Sequence, residues 1–159
     1  MPKADNIVKA PKSKAQIDLF GEFRFKIDAK GRVALPSKFR KVLIDYKDLI
    51  VTQDLEGNCL YVFTRGSFDE WVERLFEDKF GGFDVSNKRQ IALRRKLKAR
   101  AEQVDVDSSG RITLKSHMRE SVDINKEVVL VGNTGHFEIW AAEGYESMMD
   151  DIDLTELLS

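Results

Sequence analysis

The stretch FKIDAKGRVALPSKFRK at residues 25–41 returns in altered form as VDVDSSGRITLKSHMRE at residues 104–120. A shift of 79 positions superposes the Asp-x-x-Gly-Arg of the first stretch on that of the second, and the same offset aligns the apolar residues that follow. Self-similarity at a fixed offset indicates a duplicated structural unit. We therefore predict two tandem units of the same fold.

Each copy predicts the same series of elements: strand, turn, strand, short helix, two strands and a second helix. In the first copy Asp28 and Gly31 predict a tight turn, because Asp caps its own turn and Gly accepts a positive φ. The residues from Ser67 to Glu70 have the pattern of a capping box, which predicts the start of the second helix. Gly81 predicts its end.

Composition divides the chain into five parts. These are a flexible basic arm at residues 1–18, a first unit at 19–85, a basic linker helix at 86–103, a second unit at 104–151 and an acidic tail at 152–159. The linker is distinctive because it holds seven basic residues and no acid between positions 88 and 100. Such a helix is either a solvated surface, a phosphate-contacting element or an interface with the acidic C-terminus.

The net charge of −1 hides an uneven distribution. Residues 1–115 hold 24 Lys and Arg against 17 Asp and Glu, whereas residues 116–159 hold 2 against 10. A basic body favours an acidic partner such as nucleic acid. The single cysteine, Cys59, excludes an internal disulfide and a thiolate cluster for zinc. Since no apolar run has membrane-spanning length and the N-terminus lacks the apolar region of a secretory signal, we predict a cytoplasmic protein.

The sequence offers little support for catalysis. His117 and His136 are the only histidines, and neither belongs to a known catalytic pattern. The chain has no Gly-x-Ser-x-Gly elbow, no phosphate-binding loop and no His-Glu-x-x-His pair. We predict no enzymatic activity, no catalytic residues, no metal ligands and no cofactor.

Cationic side chains surround the first turn: Lys26, Lys30, Arg32, Lys38 and Arg40. A two-stranded ribbon with such side chains can enter the major groove of DNA, where Arg pairs with the O6 and N7 atoms of guanine. A solvated, charged sheet edge would have the same composition. The spacing alone fits both interpretations equally.

At these residues the chain resembles the MraZ family of bacterial transcriptional regulators. The resemblance covers residues 20–151 and rests on three segments in order: FGEFRFKIDAKGRVALPSKFR, LRRKLKARAEQVDVDSSGRITL and KEVVLVGNTGHFEIW. It implies an α+β fold in which two tandem AbrB-like swapped-hairpin units with flanking helices form one pseudo-dimeric, β-barrel-like domain. It also implies ring homo-oligomers, octamers or dodecamers, that bind short direct repeats in double-stranded DNA. Such rings typically repress the division and cell-wall gene cluster that begins with their own gene, so we expect a nucleoid-associated repressor.

The resemblance also assigns residues. The family's Asp-x-x-x-Arg pairs fall on Asp28 with Arg32 and on Asp107 with Arg111, and Arg32 occupies the family's main DNA-contacting position. The second copy has Lys115 where Pro36 stands in the first, so we expect less DNA contact there. The predicted DNA-binding set is Arg32, Lys30, Lys26, Lys38, Arg40 and Arg111, and the predicted structural set is Asp28, Gly31, Asp107 and Gly110.

Three other functions fit parts of the pattern. The first is a ring-forming structural or interaction protein without DNA affinity. The second is an antitoxin of the same hairpin fold, although such antitoxins usually have a single unit followed by a toxin-binding tail. A hydrolase has the least support.

Overall fold

The computed structural model describes residues 17–158, which form eight β-strands, five α-helices and one 3₁₀-helix. The elements in chain order are β1 (Glu22–Lys26), β2 (Arg32–Ala34), α1 (Ser37–Leu43), β3 (Asp48–Gln53), β4 (Leu60–Phe63), α2 (Arg65–Phe80), α3 (Lys88–Ala99), β5 (Glu102–Asp105), β6 (Arg111–Thr113), α4 (Ser116–Ser121), β7 (Glu127–Gly132), β8 (His136–Ala141), α5 (Ala142–Asp150) and a 3₁₀-helix (Leu154–Leu158). This mixture of antiparallel strands and helices confirms the predicted α+β class. Within residues 17–158, no helix combines the length and the apolar character needed to cross a membrane.

Six strands form one antiparallel sheet in the order β1-β7-β8-β4-β3-β5, and β2 pairs with β6 in a separate ribbon. Closure into a barrel would require the two edge strands to pair with each other. Among the described residues, β1 pairs only with β7 and β5 only with β3. The sheet is therefore open, and the predicted barrel-like closure is not found.

The strand pairings join the two halves of the chain reciprocally. β1 pairs with β7, and its repeat counterpart β5 pairs with β3, which is the counterpart of β7. The remaining cross-pairs, β2 with β6 and β4 with β8, each join counterpart strands. One buried cluster takes side chains from both halves, including Val33 and Phe39 from the first and Ile112 and Phe137 from the second. Each half therefore completes the hydrophobic core of the other.

The N-cap of helix α2 lies three residues before the predicted one. Thr64 is the N-cap: its Oγ1 accepts a hydrogen bond from the backbone N–H of Ser67 at 3.1 Å, and its own N–H donates to Ser67 Oγ at 2.9 Å. The capping box predicted from Ser67 to Glu70 is therefore wrong, because Ser67 is the last residue of the box and not its first. The helix ends at Phe80, and Gly81 with φ +79° confirms the predicted stop.

Two predicted boundaries shift in the structure. The predicted arm lies outside the described residues apart from Ile17 and Asp18, which do not belong to a flexible arm. Ile17 is buried in the core and Asp18 forms a β-bridge with Thr134, so both belong to the folded domain. The linker helix ends at Ala99, and the chain from Glu102 onward forms β5 because the edge of β3 pairs with it.

Candidate nucleic-acid interface

The β2–β6 ribbon brings the two repeated arginines to one surface. Val33 pairs with Ile112 at its centre, and both side chains are fully buried. Because side chains alternate between the two faces of a strand, Arg32 and Arg111 lie on the opposite, outward face. Their Cα atoms are separated by two residues along the ribbon and by one strand across it. This places the two Cα atoms roughly 8 Å apart. One protomer thus presents both arginines side by side.

Asp28 organises the first turn. Its Oδ1 accepts hydrogen bonds from the backbone N–H of Lys30 at 3.0 Å and of Arg32 at 2.8 Å, and its Oδ2 accepts one from Arg32 Nε at 2.6 Å. The backbone hydrogen bond from Arg32 is the main cause that holds the pKa of Asp28 below its usual 3.8. The charged carboxylate therefore fixes the guanidinium of Arg32. The two terminal nitrogens of that guanidinium have no hydrogen-bond partner among residues 17–158.

Asp107 organises the second turn in the same way. Its Oδ1 accepts from the backbone N–H of Ser109 and of Arg111, both at 2.9 Å, and its Oδ2 accepts from Arg111 Nε at 3.1 Å. The backbone hydrogen bond from Arg111 again lowers the pKa of the carboxyl. Gly31 and Gly110 have φ of +82° and +76°, as the turn requires. The geometry of the turns therefore does not distinguish the two arginines.

Each turn is bound to the opposite half of the chain. The backbone N–H of Leu114 donates to the carbonyl of Gly31 at 2.8 Å, and that of Leu35 donates to the carbonyl of Gly110 at 2.9 Å. These two hydrogen bonds extend the ribbon beyond its three paired residues. The position of each arginine therefore depends on both halves.

Two further arginines cross between the halves. Arg40 on α1 packs against the second turn, so that a methyl group on Gly110 would lie 2.5 Å from Arg40 Nη1. Arg119 on α4 packs against the first turn, with its Nε 3.0 Å from the corresponding position on Gly31. Arg40 was predicted to act with the first turn, and the structure brings it to the second. Arg119 was missed, although the offset of the repeat aligns it with Arg40.

The remaining predicted cations lie on three different elements. Lys26 ends β1 of the large sheet, opposite Glu127, whereas Lys30 lies in the first turn and Lys38 in α1. All three are exposed and form no ion pair within residues 17–158.

The cations of the second half are partly neutralised. Glu102 lies 3.5 Å from Lys115 Nζ and 2.6 Å from His117 Nε2. Lys115 directly follows Leu114, which is hydrogen-bonded to the first turn, so this neutralised cation lies on the side of that turn. In the part of the chain that the structure describes, no group of three or more His, Cys, Asp or Glu side chains could hold a metal ion.

Comparison with known proteins identifies the family of this chain. The family described as "MraZ protein, putative antitoxin-like" matches residues 19–84 and 97–156. The "Transcriptional regulator MraZ" of Caldanaerobacter subterraneus subsp. tengcongensis is 36% identical over 137 residues, which cover 86% of this chain and 90% of that protein. The protein of the same name from Alkaliphilus metalliredigens is 34% identical over 135 residues, 85% of this chain and 89% of that protein. Because the family matches both copies of the repeat and these relatives match most of the chain, the chain belongs to the MraZ family.

Proposed function

We propose that this protein is a sequence-specific regulator of transcription that binds double-stranded DNA through its β2–β6 ribbon. The observation that carries the proposal is the fixed presentation of Arg32 and Arg111 on one outward face of the ribbon. The names of its relatives as transcriptional regulators support it. The protein would act by occupying its site, without a cofactor and without catalysing a reaction.

Arg32 would read base edges in the major groove. Asp28 engages its Nε and leaves both terminal nitrogens without a hydrogen-bond partner among residues 17–158, which suits a bidentate contact with the O6 and N7 atoms of guanine. The exposed lysines Lys30, Lys26 and Lys38 would contact phosphates and set the register of the protein on DNA. Arg111 and Arg40 would add contacts from the second turn, and Arg119 would support the first.

The assembly would be a ring, and the two halves would be AbrB-like swapped-hairpin units in a pseudo-dimeric arrangement, as their reciprocal strand pairing supports. The two halves differ, so a contact between the flank of one and the flank of the other is heterologous and can close into a ring of eight or twelve protomers. A ring would place ribbons along DNA at regular intervals, which favours direct repeats spaced about 10–10.5 bp apart. The target would be the promoter of the protein's own division and cell-wall gene cluster, on the nucleoid, and the effect repression.

The test is a fluorescence-anisotropy titration of DNA from upstream of the gene. Arg32→Ala should weaken binding by about 1–3 kcal/mol per site, or roughly 5- to 150-fold. Arg111→Ala should weaken it less, because the second turn has Ser109 where the first has the cationic Lys30. Arg95→Ala, which removes an exposed arginine of α3, is the matched control and should bind like the parent apart from a small electrostatic loss.

Salt dependence provides a second readout. Phosphate contacts release counterions, so the logarithm of affinity should fall linearly with the logarithm of salt concentration, and Lys30→Ala should reduce that slope. A folded Arg32→Ala variant with parental affinity would contradict the proposed role of Arg32. A parent protein that assembles without binding this DNA would instead favour a ring-forming interaction protein or an antitoxin.

A further inference from the structure

An apolar groove opens between α2 and α3 on the surface of the protein. We call it the α2–α3 groove; its volume is about 420 Å³, and its apolar walls are Leu55, Leu75, Phe76, Phe80, Leu93 and Leu97. Leu55 is 58% exposed and Phe80 is 42% exposed, so large apolar side chains meet solvent here. An apolar cleft of this size suits the burial of apolar side chains from a partner.

The rim of the groove is basic. Lys79, Lys96 and Arg100 line it together with the apolar residues, and no acidic side chain does so among the described residues. Lys79 and Lys96 form no ion pair within residues 17–158. The groove therefore suits a partner that combines apolar side chains with carboxylates.

The C-terminal segment, residues 150–158, has this combination. Its leucines are almost fully exposed, with values of 74% for Leu154, 83% for Leu157 and 85% for Leu158. Residues three apart are aligned in a 3₁₀-helix, so Leu154 and Leu157 form an apolar ridge. Asp153 and Glu156 are likewise three apart and form an acidic ridge beside it.

We propose that the C-terminal segment of one protomer docks in the α2–α3 groove of a second copy of the chain. The leucines would fill the groove, and the carboxylates would face Lys79 and Lys96. Within one protomer the segment and the groove both remain exposed, so the chain does not satisfy this contact by itself. The inference rests on the assembly proposed above and assigns its interface.

The contact would be heterologous, because the groove and the segment are different surfaces. Each protomer would offer one groove and one segment, so contacts of this type propagate and can close into a ring. This predicts that a defect in the groove and a defect in the segment complement each other when they lie in different chains.

The experiment uses two full-length variants and light scattering after size exclusion. Leu93→Asp places a charge in the groove, and the double variant L157S/L158S removes two leucines of the segment. Each alone should have the 18.2 kDa mass of one chain. An equimolar mixture retains one intact groove and one intact segment, so it should form a dimer of twice the 18.2 kDa mass and nothing larger. Val85→Ser is the matched control: it removes an apolar side chain that is 78% exposed but lies outside the groove, and it should keep the parental mass.

Charge exchange gives an independent readout. Lys96→Glu and Asp153→Lys should each lower the mass of the assembly, and the two together in one chain should restore it. A monomeric parent would overturn both the proposed assembly and this inference. A parent oligomer whose mass survives the groove and segment variants, or a mixture of variants that stays monomeric, would overturn this inference alone. Binding to a single DNA box should be unchanged in all these variants, because none of them alters the ribbon.

Discussion

Replacing Gly31 by alanine tests whether the first turn is locked against the other half of the chain. Gly31 has φ +82° and Gly81, at the end of α2, has φ +79°, so alanine meets the same unfavourable backbone conformation at both positions. A methyl group on Gly81 would have no neighbour within 4 Å among residues 17–158, whereas on Gly31 it would lie 2.5 Å from the carbonyl oxygen of Leu114. Gly81→Ala is therefore the matched control.

The expected magnitudes follow from these contacts. A left-handed conformation costs a residue with a Cβ atom about 1–2 kcal/mol, partly offset because alanine restricts the unfolded chain. Gly81→Ala should therefore destabilise by about 1 kcal/mol net. At Gly31 the Leu114 carbonyl must also move, which adds about 1–3 kcal/mol of overpacking and about 1 kcal/mol for the weakened hydrogen bond from Leu114 to Gly31. The total for Gly31→Ala is about 3–5 kcal/mol. Gly110→Ala should fall between the two, because its methyl group meets the flexible end of Arg40.

Urea unfolding followed by circular dichroism measures the three free energies of unfolding. All variants must be compared at one protomer concentration, because assembly makes apparent stability depend on concentration. Equal destabilisation by Gly31→Ala and Gly81→Ala, within about 0.5 kcal/mol, would refute the reasoning. It would mean that the Leu114 carbonyl does not hold the first turn in place.

Three further outcomes can be measured with the same protein. Thr64→Ala removes the N-cap of α2 and should cost about 1–2 kcal/mol of unfolding free energy, whereas Thr64→Ser keeps the hydroxyl and should cost less. Burial raises the pKa of the Cys59 thiol, so a thiol reagent should modify Cys59 only after unfolding, and fast labelling of the native protein would contradict this. The pKa of Asp28 is held below its usual 3.8, chiefly by the backbone hydrogen bond from Arg32, so its carboxylate stabilises the fold above about pH 4 and loses this effect as pH falls through the folded-state pKa. Stability of Asp28→Asn should therefore fall less steeply than that of the parent below about pH 4, and parallel curves would argue against this contribution.

The duplication and the turns could be predicted from the sequence because they depend on local chemistry. Asp28 and Gly31 are sufficient to predict a tight turn, and the repeat at Asp107 and Gly110 supports the same prediction twice. The pairing partner of each strand could not be predicted from local chemistry. Alternating apolar residues define the faces of β1, but many strands could supply the hydrogen bonds at its edge. The open order of the sheet is therefore a property of the whole chain.

The cap of α2 and the position of Arg40 are two single-residue features that local sequence could not predict. Ser67 with Glu70 fits the usual capping-box pattern, whereas Thr64 with Ser67 lacks its Glu or Gln, and the cap forms at Thr64 because β4 ends at Phe63. Arg40 is near the first turn in sequence but packs on Gly110 of the other half, because the ribbon exchanges the turns between the halves. Local sequence contains no information on that exchange.

The reciprocal pairing of the two halves also affects the symmetry of the DNA site that such a protein would match. A dimer of identical chains presents two identical turns and matches a palindromic site, since the symmetry of the DNA mirrors that of the protein. When both halves lie in one chain, equivalent positions can differ: Lys30 corresponds to Ser109, and Lys26 corresponds to Asp105. The backbone of the ribbon is therefore nearly twofold symmetric, whereas the charges on its two turns are different. If the ribbon binds DNA as proposed, such a protomer would distinguish the two orientations of a binding site, as recognition of direct repeats requires.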